Sequence, residues 1–392
     1  MLMRPWPGVV IIGGGVIGLS VAYHLLRLGA PGVVVLEKEP VAGCGATGSC
    51  TGGIRHQFST RVNVELTRAS LPHFARFEEE MGYPIGFRQD GYLLLTASEA
   101  RLEELRRSVE LQRELGVPAE LLSPVELARR FPYLDVAGLV GGTFCPLDGY
   151  ADPYGVVQGY CRRVARLGGR ILTGEEVVGI RVEGGKVKGV VAARSGEVPA
   201  EVVVNAAGAH AAEVARLAGA EVPVRPYRRQ VFVSQPVPGL DEGLPLTVDL
   251  DTGWYLHREK NGLLLLGGTD RDTRPGFSVA VDREGLEAVA EAGLRRVPLL
   301  EKARISRAYA GLRALTPDYH AVLGPDPGVA GLYHACGFCG HGFMHAPAAG
   351  QALAQLIARD EAGKAGITPV VDIAPLSPAR FRGPARQEAL VW

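Results

Sequence analysis

The chain has 392 residues, of which 47% are apolar and 21% are charged, and its 42 basic residues balance its 42 acidic ones. This length suits two domains or one large α/β domain, and the composition is that of an ordinary soluble globular protein. The balanced charge disfavours nucleic acid or an anionic membrane surface as a partner. Because there is no run of 18 apolar residues, we expect no transmembrane helix. The six scattered cysteines suit free thiols in a reducing cytosol better than a disulfide framework. We expect a cytoplasmic location, with attachment to the periphery of a membrane as the alternative.

The segment 8–37 carries a nucleotide-binding pattern. The short apolar strand Val9–Ile12 leads into the sequence GGGVIG at 13–18, and a helical pattern follows to Leu28. A second apolar strand then ends at Glu37. This order of strand, glycine turn, helix and strand is the context in which G-x-G-x-x-G indicates dinucleotide binding.

Each part of this pattern has a physical task. Gly13 permits the tight turn, Gly15 lets backbone N–H groups approach a pyrophosphate, and Gly18 allows the helix to pack closely on the strand. Glu37 can accept hydrogen bonds from the hydroxyls of an adenosine ribose and disfavours a 2′-phosphate, so FAD or NAD is expected rather than NADP. The chain has no second fingerprint of this kind, which favours a bound flavin whose electrons come from a small substrate.

Residues 86–143 look like an insertion into this α/β pattern. Thr96 and Glu99 have the spacing of a capping box at the start of one helix, and Ser123 and Glu126 have it at the start of another.

The α/β pattern returns from about residue 150, and 227–305 is richer in strands. A helix is predicted from about Ala346, and the tail after Pro369 looks extended. The domains are therefore expected to be interleaved.

Together with the fingerprint, further segments resemble the D-amino-acid-oxidase superfamily of flavoproteins, in the branch of the sarcosine oxidase β subunit, the L-proline dehydrogenase β subunit and glycine oxidase. These segments are GATGSCTGGIRHQFST (45–60), VVNAAG (203–208), AGLRALTPD (310–318) and GFCGHGFMHAP (337–347). They span essentially the whole chain in the family's order, which makes the set much more specific than any one of them.

The resemblance implies an α/β fold, α+β overall, in which a Rossmann-type FAD-binding domain is interleaved with a substrate domain built on a mostly antiparallel sheet. The expected segments are 1–85, 144–226 and 306–369 for the FAD-binding domain, 86–143 and 227–305 for the substrate domain, and 370–392 for a C-terminal tail.

The resemblance also implies which residues bind FAD. They are Gly13, Gly15, Val16, Ile17, Gly18, Glu37, Lys38, Gly48, Ser49, Cys50, Thr51, Gly53, Val177, Ala207, Gly208, Gly311, Arg313, Gly340, His341, Gly342, Phe343 and Met344. Some relatives attach FAD to a cysteine where this chain has Gly311, so the cofactor is expected to be non-covalent.

The residues expected to act on the substrate are Arg55, Arg313, Tyr255, His341 and Met344. By resemblance, Arg55 and Arg313 are candidates for binding a substrate carboxylate, which a planar guanidinium suits well. Tyr255 is a candidate wall of the site, although a packed sheet aromatic is nearly as good an interpretation. The backbone around His341 and Met344 is expected to face the flavin edge where negative charge develops.

The resulting hypothesis is an FAD-dependent oxidoreductase that removes a hydride from a small secondary or N-methylated amino acid, sarcosine- or proline-like, and gives an imine that hydrolyses. Sarcosine oxidases have a lysine where this chain has Met344, so electrons are expected to pass mainly to a partner subunit or quinone-like acceptor. The alternatives are a glycine or D-amino-acid oxidase that uses oxygen and a flavoprotein subunit of a larger amine dehydrogenase complex. The oligomeric state stays open.

The stretch 334–345 contains a C-x-x-C pair, Cys336 and Cys339, among several histidines, which raises the alternatives of a zinc site or a redox-active dithiol. The spacing fits neither well, and the resemblance assigns the stretch to the flavin. We therefore predict no metal.

Overall fold

The computed structural model describes residues 8–240, 243–268, 274–364, 366–383 and 387–391. Residues 384–386 and 392 of the predicted tail lie outside these ranges. The strands within them are β1 (Val9–Ile12), β2 (Val34–Glu37), β3 (Gly53–Ile54), β4 (Tyr92–Thr96), β5 (Glu120–Leu122), β6 (Gly141–Cys145), β7 (Gly149–Tyr150), β8 (Arg170–Thr173), β9 (Val177–Glu183), β10 (Lys186–Ala192), β11 (Gly196–Pro199), β12 (Val202–Asn205), β13 (Arg225–Ser234), β14 (Leu246–Asp249), β15 (Trp254–Arg258), β16 (Leu264–Gly267), β17 (Ile305–Leu315), β18 (Val322–Pro325) and β19 (Leu332–Cys336). The α-helices are α1 (Val16–Arg27), α2 (Arg61–Ala75), α3 (Phe77–Met81), α4 (Glu99–Glu114), α5 (Pro124–Arg130), α6 (Pro153–Arg166), α7 (Ala211–Arg216), α8 (Arg283–Arg296) and α9 (Gly342–Ala362).

The first large sheet has the strand order β18-β19-β12-β1-β2-β8 and is parallel except at its β18 edge. Every residue of β1 and β12 is buried, as expected for apolar strands covered on both faces. Helix α1 packs against α9 and α6 on one face of this sheet. The contact with α9 is close, because a Cβ at Gly350 would lie 2.2 Å from Ser20 Oγ.

The second large sheet has the strand order β17-β13-β16-β15-β14-β4-β6-β5 and is antiparallel except between β14 and β4. Alternate residues of its strands point to opposite faces. One face, with Leu93 and Leu256, packs with Val289 of α8. The other face carries Tyr92 and Leu246. A mixed α/β fold with a mostly antiparallel second sheet confirms the predicted fold class.

The strand β17 belongs to this second sheet, although all but its first residue fall in the segment 306–369 that was assigned to the FAD-binding domain. Likewise β6 crosses the expected boundary between 143 and 144. The second sheet therefore takes strands from both sides of these boundaries.

Two of the local predictions were wrong and one is confirmed. Helix α4 is capped by Ser98, whose Oγ accepts from Arg101 N, and Thr96 instead accepts from Ser98 N at 3.1 Å. The capping box of Ser123 and Glu126 is present. The tail after Pro369 is not simply extended, since it forms short 3₁₀ turns at Ala374–Leu376 and Pro378–Arg382.

Helix α9 begins at Gly342 rather than near Ala346, with Pro347 inside it. The cost of that proline is offset by packing, because Phe343 and Met344 in the first turn are buried in the main core. Within the described residues, no helix is both long and apolar enough to span a bilayer.

Candidate active site and cofactor cradle

The turn between β1 and α1 is built from close backbone contacts. Gly13 has φ +112°, and a Cβ there would lie 2.4 Å from Ala206 O. A Cβ at Gly18 would lie 2.0 Å from Gly13 O. Gly15 is the N-cap of α1, and Val16 and Ile17 form the start of the helix. The turn and the close packing are as predicted, and the residues fit the pyrophosphate of a dinucleotide.

Glu37 lies at the end of β2 and is only 8% exposed. Its carboxylate accepts from Gly14 N at 2.7 Å and from Glu39 N at 2.9 Å. Glu37 therefore fixes the glycine loop, a role that the fingerprint did not predict, and its contact with a ribose stays a prediction. Lys38 follows it and places Nζ 2.9 Å from His210 Nε2.

The remaining residues assigned to the nucleotide come to the same edge of the sheet. Ala206 N donates to Ile12 O at 2.9 Å, which brings Ala207 and Gly208 beside the glycine turn. Val177 opens β9 and is buried in the core cluster that contains Ile12.

The loop 41–50 closes over the start of α1. A hydroxyl that the sequence did not single out, Thr47 Oγ1, accepts from Val16 N at 3.2 Å. Gly48 lies in the same loop, where a Cβ would be 2.7 Å from Gly43 O.

A second group of predicted residues lies where β17, residues 49–53 and the start of α9 come together. A Cβ at Gly311 would lie 2.4 Å from Ser49 Cβ, and a Cβ at Gly340, which has φ +89°, would lie 2.6 Å from Arg313 Nε. Gly311 is therefore required by its close contact with Ser49, and Gly340 by its close contact with the Arg313 side chain. Cys50 and Thr51 link this loop to β3, which starts at the predicted residue Gly53.

Arg55 is 4% exposed and sits just after β3. Its Nη1 donates to Gln57 O and its Nη2 donates to Leu390 O at 2.7 Å, while its Cζ lies 3.9 Å from the centre of the Phe58 ring. Burial lowers its pKa to about 10. The predicted contact of Arg55 with a substrate carboxylate stays a prediction, since the chain itself supplies the two carbonyl acceptors named.

Arg55 and Arg313 both lie near Tyr92, and Arg313 and Tyr92 lie near Tyr255. Burial raises the pKa of Tyr92 to about 12, against the opposing charges of Arg55 and Arg313. Burial also raises the pKa of Tyr255 and lowers that of Arg313. Two guanidinium groups and two neutral phenols in a desolvated space favour an anionic ligand. Tyr92 is not among the site residues expected from the sequence, because nothing in the sequence shows what faces it.

The start of α9 supplies the remaining predicted residues. His341 caps the helix, is buried, and places Nε2 3.3 Å from Tyr319 O, while Nδ1 has no hydrogen-bond partner. Burial and the charges of neighbouring groups hold the pKa of His341 well below its ordinary value, so the imidazole is neutral at pH 7. Gly342, Phe343 and Met344 form the first turn, and Met344 is 5% exposed.

The cysteines of 334–345 are both buried free thiols. Cys339 has φ +51° and its Sγ lies 3.2 Å from Thr316 Oγ1, so it packs as a structural residue of the turn.

Among the described residues, a group with metal-ligand geometry is instead formed by His56, Cys145 and Asp148. There Asp148 accepts from His56 N and from Gln57 Nε2, and its Oδ1 lies 2.7 Å from His56 Nδ1. These contacts account for the buried carboxylate without a metal ion.

Comparison with known proteins agrees with this geometry. Residues 8–356 match the family model described as DAO, FAD dependent oxidoreductase. The chain is 32% identical over 371 residues to the mitochondrial sarcosine dehydrogenase of Homo sapiens. The matched region covers 90% of this chain but only 40% of that protein.

Solved structures match over nearly the whole chain. The L-proline dehydrogenase from P. horikoshii superposes with a TM-score of 0.88 at 32% identity, over 98% of this chain and 100% of that one. The glycine oxidase from Geobacillus kaustophilus superposes with a TM-score of 0.83 at 26% identity, over 96% of this chain and 99% of that one. These findings confirm the predicted family, with FAD as its cofactor and oxidoreductase as its enzyme class. The chain belongs to the DAO family of FAD-dependent oxidoreductases.

Proposed function

We propose that this protein oxidises the C–N bond of a small secondary or N-methylated amino acid, sarcosine- or proline-like. The observation that carries the proposal is the convergence of two buried guanidinium groups, Arg55 and Arg313, with Tyr92 and Tyr255 beside the start of α9. FAD bound there would supply the acceptor for the hydride on the carbon next to the substrate nitrogen, and water would hydrolyse the imine product.

The protein's own part is to bind and orient the substrate. Arg313 holds the carboxylate with its planar fork, Arg55 adds a second positive charge, and Tyr255 forms a wall. Backbone N–H groups from Gly340 to Met344, at the positive end of α9, stabilise negative charge on the reduced cofactor. Burial and neighbouring charges keep the His341 imidazole neutral. Direct hydride transfer from a substrate that binds with a neutral amine requires no base.

The names of similar proteins support the substrate class. The two structures described above are a proline dehydrogenase and a glycine oxidase, and the curated relative is a sarcosine dehydrogenase. This chain spans about 40% of that last protein, which keeps open a role as the flavoprotein portion of a larger amine dehydrogenase complex. A glycine or D-amino-acid oxidase is the other alternative.

We further propose that the electrons go mainly to an acceptor other than oxygen, such as a partner subunit or a quinone. Met344 is buried where sarcosine oxidases have a lysine. Lys260 lies in the turn that follows β15 rather than in the strand, so the described part of the substrate sheet offers no lysine in its place.

Anaerobic titration of the FAD-loaded protein with sarcosine, proline and glycine tests the substrate class. Bleaching of the flavin absorbance by sarcosine or proline at lower concentrations than by glycine is expected. Bleaching by none of them, with no partner present, would contradict the proposal. Oxygen uptake as fast as dye reduction would overturn the proposed acceptor alone.

A further inference from the structure

Residues 387–391, near the end of the chain, lie against the proposed amino-acid site. Their side chains alternate, with Glu388 and Leu390 buried and Gln387 and Ala389 exposed, as in an extended segment with one inward face. Leu390 is 2% exposed and packs in the same cluster as Tyr92 and Leu246, with Tyr255 at its margin.

Glu388 anchors this segment through hydrogen bonds to both of its carboxylate oxygens. Oε1 accepts from Ser59 N at 2.7 Å and from Ser59 Oγ at 2.6 Å. Oε2 accepts from Thr60 Oγ1 at 2.6 Å and from Asn63 Nδ2 at 2.9 Å. A carboxylate that is 1% exposed is costly to bury unless its oxygens are satisfied in this way, so the pocket is built for it.

The same segment reaches Arg55 directly. Leu390 O accepts from Arg55 Nη2 at 2.7 Å, and Ala389 N donates to Ser59 Oγ at 2.9 Å. A cleft of about 480 Å³ lies along its outer side, lined in part by Arg61 and Ser108, so the segment is not packed against protein there.

We propose that residues 387–391 form a closing segment over the amino-acid site, with Leu390 as its cover and Glu388 as its latch, and that the segment opens for substrate to enter and leave. The proposal rests on the proposed function for the nature of the ligand. Closing the site mainly retains bound substrate, so its loss raises KM much more than it changes kcat.

The test compares Leu390→Ala, Glu388→Gln and a variant lacking residues 387–392 with wild type, using whichever amino acid bleaches the flavin. Gln387→Ala is the matched control, since this exposed side chain donates only to Pro317 O at 3.3 Å among the contacts described. We expect KM to rise about 10-fold or more in the first three variants, kcat to stay within about 3-fold, and the control to match wild type. A KM that is unchanged or lowered would overturn the proposal.

A second readout does not depend on the substrate. Sulfite bleaches bound flavin, and we expect it to do so about 10-fold faster when Leu390 is truncated, because the segment no longer limits access. Equal sulfite rates in Leu390→Ala and wild type, at equal FAD content and equal unfolding temperature, would also overturn the closing role. If no amino acid bleaches the flavin, the proposed function fails while the sulfite comparison still decides this inference.

Discussion

The two ends of the candidate site are built in different ways. The nucleotide end comes from one contiguous stretch, Val9–Glu37, together with 206–208, and it is shaped by backbone atoms in close contact. The amino-acid end consists of Arg55, Tyr92, Tyr255 and Arg313, whose charges and hydroxyls come from separate strands or loops. At Gly13 and Gly18 the backbone-built end has no room for an added Cβ. We expect the side-chain-built end to lose function by degrees instead.

Gly13→Ala tests the backbone-built end and has the largest expected effect. The new Cβ would lie 2.4 Å from Ala206 O at a residue with φ +112°, so the turn must shift. We expect a loss of FAD after desalting and a destabilisation of at least about 2 kcal/mol. Flavin absorbance per protein and urea unfolding measure both.

Gly45→Ala is the control for that change, because it lies in the loop over α1 and its Cβ would meet nothing within 4 Å. Wild-type FAD content in Gly13→Ala would show that the turn tolerates side chains, and the distinction between the two ends would fail.

The same contrast explains what could be predicted from the sequence. The fingerprint is local, so its turn, its helix and Glu37 follow from residues close in sequence. The contact of Arg55 with Leu390 joins residues 335 positions apart, and no spacing in the sequence indicates it. The start of α9 was misplaced for a related reason, since burial of Phe343 and Met344 outweighs the helix-breaking tendency of Pro347.

Arg313→Lys tests the side-chain-built end. Lysine keeps the charge but loses the planar fork that binds a carboxylate through two nitrogen atoms. We expect kcat/KM for the amino acid to fall about 100-fold, mostly through KM, with FAD content preserved. Arg307→Lys, at an exposed position of the same strand, should match wild type. A near-normal KM in Arg313→Lys would show that Arg313 does not bind the substrate carboxylate.

Tyr92→Phe should have a smaller effect in the same place. With its pKa raised to about 12 by burial, the Tyr92 hydroxyl stays neutral through the physiological range and can donate to a bound carboxylate. We expect kcat/KM to fall about 10- to 30-fold, the lower end of the effect of losing one hydrogen bond to a charged acceptor. Tyr133→Phe removes a hydroxyl that contacts Thr247 Oγ1 at 2.9 Å and serves as the control in steady-state assays. Equal losses in both variants would point to a general packing defect.

The last prediction concerns pH and stability in the second sheet rather than activity. Burial lowers the pKa of His257 to about 4, and the nearby Thr51 backbone opposes the shift only in part. Between pH 6.5 and 4 the unfolded chain therefore binds a proton at this residue that the folded chain does not, so its contribution to stability is complete above pH 6.5 and is lost as the pH falls. We expect His257→Gln to reduce the fall in unfolding free energy over this range by at most about 1.4 kcal/mol per pH unit. Urea unfolding of wild type, His257→Gln and the more exposed His210→Gln at several pH values measures it. Parallel curves for all three would mean that His257 is protonated in the folded protein, and the second sheet would then be more open to water around this residue than its burial indicates.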